Sequence, residues 1–258
     1  SLENALAERH EARALGERLG RQVTELKTTI TNLNDSEKDV VARLTRETSE
    51  EINNLKTFIN RTGLKAERIL AKIKKGGQKI GQGGPFVELR PDSEPGEYLK
   101  ASISNLDNRV VRLQSLKDLV AIMPLAAPMD YFSISSHFGK RKDPINRRWA
   151  MHYGLDLVGA KGTRVYVTAP GTVVKAGIKG KFGKFIEVDH GKGFKTRYGH
   201  LHKILVKRGQ KVDYREKIGL LGNTGRSTGP HLHYEIVHNG KPRNPWRFIK
   251  AGRYVYKK

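Results

Sequence analysis

From Leu19 onward, apolar residues fall at Val23, Leu26, Ile30 and Leu33, in alternating steps of four and three, and Val40 and Leu44 keep the phase with Glu37 interrupting it. A stripe this narrow and regular is a coiled-coil seam, and a seam must be covered by another helix. A second seam follows at Leu99, Ile103, Leu106, Val110 and Leu113. Between the two lie a short helical stretch, Leu64 to Ile73, and a Gly-rich segment, Gly76 to Pro85, that cannot be regular helix. Two helical arms joined by a loop predict an antiparallel hairpin, although a homodimeric coil would give the same seams, and neither seam reveals its partner.

Pro124 and Pro128 close the second arm, and the texture changes. Short β-branched or aromatic runs punctuated by glycine follow, at Thr163 to Thr168, Gly171 to Ala176, Phe185 to Asp189 and Phe194 to Tyr198. They predict an antiparallel β domain, with turns at Ala169 to Gly171 and His190 to Gly193. The expected organisation is therefore α+β and multidomain: a helical coiled-coil region over 1–123, with its Gly-rich loop at about 76–85, and a β domain over 124–258.

Charge divides at the same boundary. Residues 1–123 carry 21 Lys and Arg against 18 Asp and Glu, whereas 124–258 carry 28 against 8, so nearly all of the net +23 sits in the second part. Such a surface attracts polyanions, including anionic lipid and acidic wall polymer. No Cys/His finger, basic zipper or aromatic RNA-binding signature is present, which argues against nucleic acid as the partner. With no cysteine, disulfides and thiolate ligation are excluded, and any metal must be held by His and carboxylate. No apolar run is long enough to span a bilayer, and a targeting or membrane segment upstream of Ser1 is an expectation only.

Eight of the nine histidines fall after residue 123. In GPHLHYEI, strand formers follow a proline, so His231, His233 and Glu235 should share one face while Leu232, Tyr234 and Ile236 point into a core. Alone, two histidines on a strand face are an ambiguous sign of metal. A second element, His152-Tyr153-Gly154-Leu155-Asp156, places an imidazole and a carboxylate four apart across a glycine. Joined to one histidine of the pair they make an N, N, O set, and three protein ligands leave a fourth position open, as in catalytic rather than structural zinc sites. The chemistry expected of such a site is hydrolysis, with a further histidine positioned to assist.

These residues also carry a family resemblance. The stretches MHYGLDL, RYGHLHK and STGPHLHYE, in that order, with AxGTVVxAG and GNTGRSTG between them, resemble the lysostaphin/LytM-type zinc endopeptidases of peptidoglycan over about Ile134 to Phe248. The resemblance implies that His152, Asp156 and His233 bind Zn2+ and that His200 and His231 are catalytic. It further implies a peptidoglycan substrate and, given helical arms and no cysteine, the envelope of a Gram-negative bacterium, where the D-alanine to diaminopimelate cross-link is the expected bond. The helical region is expected to gate the cleft and to meet a protein partner or a second copy. The competing expectation is a non-enzymatic wall-binding adaptor or activator of other wall hydrolases.

The remaining histidines, His10, His137, His190, His202 and His238, receive structural readings, with His202 expected in a solvated loop. The GNTGRSTG run lacks the glycine and lysine of a phosphate loop, with Leu220 and Arg226 in their places, and is expected to be a turn that delivers His231. The basic run Lys140, Arg141, Lys142, with Arg147 and Arg148, is expected to be a loop on the rim of the site that attracts anionic wall or carboxylate-bearing peptide.

Overall fold

A computed structural model of the chain describes residues 2–75 and 95–255; the expected Gly76–Pro85 loop lies outside them. The described residues form two compact units, one of 2–51 with 95–113 and the other of 52–75 with 114–255.

The first unit consists of most of α1 (Leu2–Arg61) and the first part of α3 (Pro95–Ala121). Several threonines of α1 fold their hydroxyls back onto the preceding turn, as Thr24 does on the Gly20 carbonyl at 2.9 Å, which satisfies the hydroxyl while sharing a carbonyl of the helix. Within this unit Arg109 donates to Ser49 Oγ at 2.6 Å, which ties α3 to α1. The coiled-coil arms expected over the seam are not what is observed: α1 is a single long helix, and Leu19, Val23, Leu26, Ile30 and Leu33 are each half or more exposed. A heptad pattern states that a stripe can be covered, and does not supply the cover.

Further along α1 the burial changes. Ile52 is 5% exposed and Ile59 is fully buried, as are Leu116 and Leu119 of α3, and all four belong to the second unit. The helix ends where Gly63 takes φ +84 behind Thr62, the left-handed conformation that terminates helices and suits glycine. Asn60 then accepts the Ala66 amide at 3.2 Å and starts α2 (Ala66–Lys75). The C-terminal helix α4 (Pro245–Val255) closes on this base: a Cβ at Gly252 would lie 2.2 Å from the Leu125 carbonyl, and one at Gly63 would lie 2.9 Å from the Arg247 guanidinium.

The rest of the second unit is antiparallel sheet. Its central order is β1 (Ser133–Ser136), β4 (Leu155–Val158), β11 (His231–His238), β8 (Phe194–Ile204), β7 (Lys184–Gly191), β6 (Gly171–Ile178) and β9 (Lys211–Val212). β10 (Lys217–Leu221) joins β5 (Arg164–Tyr166) to β8, and β12 (Lys241–Arg243) extends β11. A separate ribbon pairs β2 (Gly139–Lys142) with β3 (Trp149–His152). The basic run Lys140–Lys142 is therefore strand and not loop, because each of its residues pairs across to 149–151.

Alternation along β11 is as the sequence predicts: Leu232, Tyr234 and Ile236 are fully buried. Beneath the sheet the Tyr198 and Tyr234 hydroxyls meet Thr168 Oγ1 at 3.2 and 2.8 Å, so both rings are buried without leaving a polar atom unpaired. β11 turns into β12 through Asn239 and Gly240, both at positive φ, the two-residue turn that matches strand twist. Asn239 donates its amide to the Gly193 carbonyl at 2.9 Å, and a Cβ on Gly193 would lie 2.2 Å from the Asn239 side chain, so this turn is latched to the one between β7 and β8.

Removing buried methylenes from the helical base should be costly and removing exposed ones should not. Ile59→Ala and Leu119→Ala are each expected to lower the unfolding free energy by about 2–5 kcal/mol, whereas Leu26→Ala is expected to change it by no more than about 0.5 kcal/mol. Urea unfolding followed by tryptophan fluorescence checks this, and equal effects at buried and exposed positions would contradict the burial pattern.

Candidate metal centre

The site forms where β3, β4 and β11 meet. His152 ends β3, Tyr153 and Gly154 turn the chain, and Asp156 is the second residue of β4. Asp156 lies directly opposite His233 in the β4–β11 register, and residues opposed in this way share a face. Gly154 is needed at the turn because a Cβ there would sit 2.5 Å from His233 Cε1 and 2.9 Å from the Tyr234 carbonyl. The glycine between histidine and aspartate thus makes room for the second histidine.

Three donor atoms converge. His233 Nδ1 is 2.8 Å from Asp156 Oδ1, His152 Nε2 is 3.1 Å from the same oxygen, and the two nitrogens are 3.2 Å apart. The tautomers follow from what lies behind each ring. His152 Nδ1 donates to the His137 carbonyl at 2.8 Å, which leaves Nε2 as the lone-pair nitrogen. His233 is turned the other way, its Nε2 facing Glu235 Oε1 at 3.0 Å and its Nδ1 facing inward. All three residues are buried, and they form the one group among the described residues with metal-ligand convergence.

The electrostatics suit a cation. Burial opposes charge on His233, yet hydrogen bonds to Asp156 and Glu235 raise its pKa to about 9. Burial likewise opposes ionisation of Asp156, but hydrogen bonds from His152 and His233 hold its carboxyl well below the usual range. A buried carboxylate sharing one small space with two imidazoles calls for positive charge there, as a proton or as a metal ion.

Two further histidines stand on the open side. His231 Nδ1 donates to the Gly229 carbonyl at 2.8 Å, and its Nε2 lies 3.8 Å from Asp156 Oδ1, outside the spacing of the inner three. His200 Nδ1 donates to the Thr224 carbonyl at 2.7 Å. The two rings are 4.7 Å apart. Burial, partly offset by that carbonyl, lowers the His200 pKa to about 4 and so keeps the ring neutral. His200 reaches this position because β8 carries one extra residue against β7 between Tyr198 and Leu201, and the backbone takes φ +61 at the histidine. Bulges of this kind re-aim side chains beside functional sites. All five residues singled out in the sequence therefore come together.

Behind the site is a layer that sequence reasoning missed. Arg197 on β8 pairs directly across from Glu235 on β11 and from Glu187 on β7, and it bonds to them at 3.1 and 2.6 Å. Glu235 in turn holds His233, so the orientation of one donor ring rests on a three-strand charge relay. Opposite charges in the middle of three adjacent strands were the available signal. The other histidines stay outside: His190 is buried between the Pro170 carbonyl and Thr196 Oγ1, His238 stacks on Phe194, and His10 is exposed on α1. His202 is exposed as expected, but lies in strand β8 and not in a loop.

The donors open into a cleft of about 560 Å³ whose walls include Arg141, Met151, Tyr153, Lys181 and Arg226. Arg226, in the GNTGRSTG loop, binds both oxygens of Asp143 at 2.8 and 2.7 Å, which fastens the loop carrying Ser227 and Gly229 to the segment after β2.

Residues 150–245 match the family described as peptidase family M23. The peptidoglycan DD-endopeptidase ShyA of Vibrio cholerae is 48% identical over 112 residues, 43% of this chain and 26% of that protein. The DD-carboxypeptidase/endopeptidase Mpg of Neisseria meningitidis is 44% identical over 118 residues, 46% of this chain and 27% of that protein. The chain thus spans about a quarter of the length of these relatives. Among solved structures, a zinc-containing peptidase from Vibrio cholerae is 40% identical, with a TM-score of 0.44 and coverage of 47% of this chain and 38% of that one. The catalytic domain of lysostaphin from Staphylococcus simulans is 34% identical, with a TM-score of 0.43 and coverage of 46% and 92%.

If Glu235 fixes the His233 ring, Glu235→Ala should weaken zinc affinity by about 10- to 100-fold with the fold retained. Competition against a chromogenic chelator, with circular dichroism as the control, measures it. Gly154→Ala should weaken affinity at least tenfold by displacing the same ring, and wild-type affinity in both variants would show that the ring is held some other way.

Proposed function

Taking residues 150–245 as a peptidase family M23 domain, we propose that the chain is a zinc-dependent endopeptidase that hydrolyses peptide bonds of peptidoglycan, the bond cut being the D-alanine to diaminopimelate cross-link. The observation that carries this reading is the three-donor pocket with two histidines on its open side, both with Nδ1 held as a donor by a backbone carbonyl. His152, Asp156 and His233 fit zinc in donor type and convergence, and would hold it. When bound there, the ion supplies Lewis acidity and lowers the pKa of water.

The chain's own residues supply the rest. Because the main chain fixes Nδ1–H on His200 and His231, each presents the Nε2 lone pair to the cleft. His200 and His231 accept the proton of the attacking water and return it to the departing amine, which is general base and general acid work by one pair of groups. The Glu235–Arg197–Glu187 relay keeps the His233 ring from rotating as charge changes around it.

Its place of action is the cell envelope, in the periplasm of a Gram-negative bacterium. No helix among the described residues is long and apolar enough to cross a membrane. The exposed stripe of α1 is the surface proposed for a protein partner or a second copy. Gating of the cleft by the helical region is tested by comparing wall hydrolysis by the full chain with a form begun near Pro124 and with one begun at Ile52, which keeps the buried base; equal rates in all three would remove gating.

His233→Ala is expected to abolish both zinc binding and peptide release from purified sacculi. His231→Ala should retain about one zinc per chain while losing about 10²- to 10⁴-fold in turnover. Metal analysis and muropeptide chromatography read both effects, and the product identifies the bond. A wall-binding adaptor would instead leave sacculi intact in the wild type.

A further inference from the structure

The β2–β3 ribbon delivers His152, and by the same alternation it delivers a second group. Gly139 opposes His152 and Arg141 opposes Ala150, so Arg141, Ala150 and His152 lie on one face of the ribbon, with the small Ala150 directly across from Arg141. Lys140 and Lys142 belong to the other face, where their ammonium groups lie 5.1 and 6.0 Å from the Trp149 ring centre. Of the three cations in this run, Arg141 alone shares the face of His152.

Arg141 is poorly partnered there. Among the described residues its single carboxylate contact is one guanidinium nitrogen at 3.5 Å from Asp156 Oδ2, and its Nε is buried there without a hydrogen-bond partner. The neighbouring acids are engaged: Asp143 is bound at both oxygens by Arg226, and Glu235 is shared by His233 and Arg197. Arg226 shows what a completed pair looks like in this cleft, two bonds at 2.8 and 2.7 Å. Asp156, by contrast, is drawn to His152 and His233 through Oδ1. A guanidinium cannot ligate a metal or act as a base at neutral pH, and its planar fork is built for a bidentate carboxylate.

We propose that Arg141 is a specificity-determining residue that binds a substrate carboxylate carried on the carbon next to the scissile nitrogen. This rests on the endopeptidase reading above and deepens it. In a D-alanine to diaminopimelate cross-link the leaving amine sits on a carbon that bears a free carboxylate, and the same holds for a terminal D-alanyl-D-alanine bond. In an ordinary mid-chain peptide that carbon bears a neutral amide instead. One cation beside the metal ligands, in contact with Asp156, separates the two classes by charge and places the bond to be cut over the donors.

The test uses the zinc-loaded full chain and two synthetic cross-linked stem peptides, identical except that the carboxylate next to the scissile nitrogen is free in one and amidated in the other. The wild type is expected to prefer the free carboxylate by about 10- to 100-fold in kcat/KM. In Arg141→Gln that ratio should fall below about threefold, with the loss in KM of the carboxylate substrate, and Arg141→Lys should restore part of it. Zinc content is measured in each form. Calorimetric binding of the two leaving-side products supplies a readout that needs no turnover, and should show the same selectivity and its loss. A ratio that persists in Arg141→Gln would overturn the proposal and place the carboxylate elsewhere, such as on Lys181. So would an equal loss on both substrates, which marks a residue that only positions Asp156. A wild type that binds the carboxylate product selectively but cuts neither peptide would overturn the endopeptidase reading and leave the subsite standing.

Discussion

The hydrogen-bonded register between β4 and β11 is the constraint on which the site depends. It sets Asp156 against His233, and once those two are opposed, the remaining geometry has little freedom. Gly154 follows because the His233 ring fills the space where a side chain would be, and the turn it permits brings His152 back to the same oxygen. The next strand across, β8, answers with Arg197 against Glu235 and with a bulge that presents His200. A three-donor site made in this way is a property of sheet pairing and not of any loop.

Backbone carbonyls set the proton positions. His137, Thr224 and Gly229 each offer a carbonyl to Nδ1 of a site histidine, while Glu235 takes Nε2 of the fourth. Main-chain acceptors cannot titrate, so three of the rings keep their tautomers independently of the charge state of nearby side chains. The fourth ring is held by a carboxylate that is itself held, and its orientation is correspondingly more open to substitution.

Much of this was legible in the sequence, because strand alternation and a four-residue spacing across glycine are local rules. His231, His233 and Glu235 on one face, with Leu232, Tyr234 and Ile236 in the core, required only period two. What escaped were facts of pairing. Lys140 to Lys142 read as a charged loop since a ribbon with one face toward solvent accepts polar residues at alternate positions, and nothing local announces Trp149 to His152 as its partner. The service of Arg197 to Glu235 is invisible until β8 lies beside β11. The heptad stripe is a different case: one continuous pattern covers a stretch of α1 that is exposed in the single chain and precedes another whose Ile52 and Ile59 are buried in the base, and periodicity carries no information on where the neighbour stands.

The Asn239–Gly240 turn has a consequence well away from itself. His231 and His233 share a strand face, so a two-residue slip of β11 would keep every core residue inward and both of these imidazoles on the opposite face while setting His231, in place of His233, against Asp156. Hydrophobic burial alone does not forbid that slip. The latch does, since the Asn239 amide is fastened to the Gly193 carbonyl at the far end of the same pair of strands. The division of labour proposed for His233 as ligand and His231 as proton carrier thus depends on a pair of tight turns that touch neither.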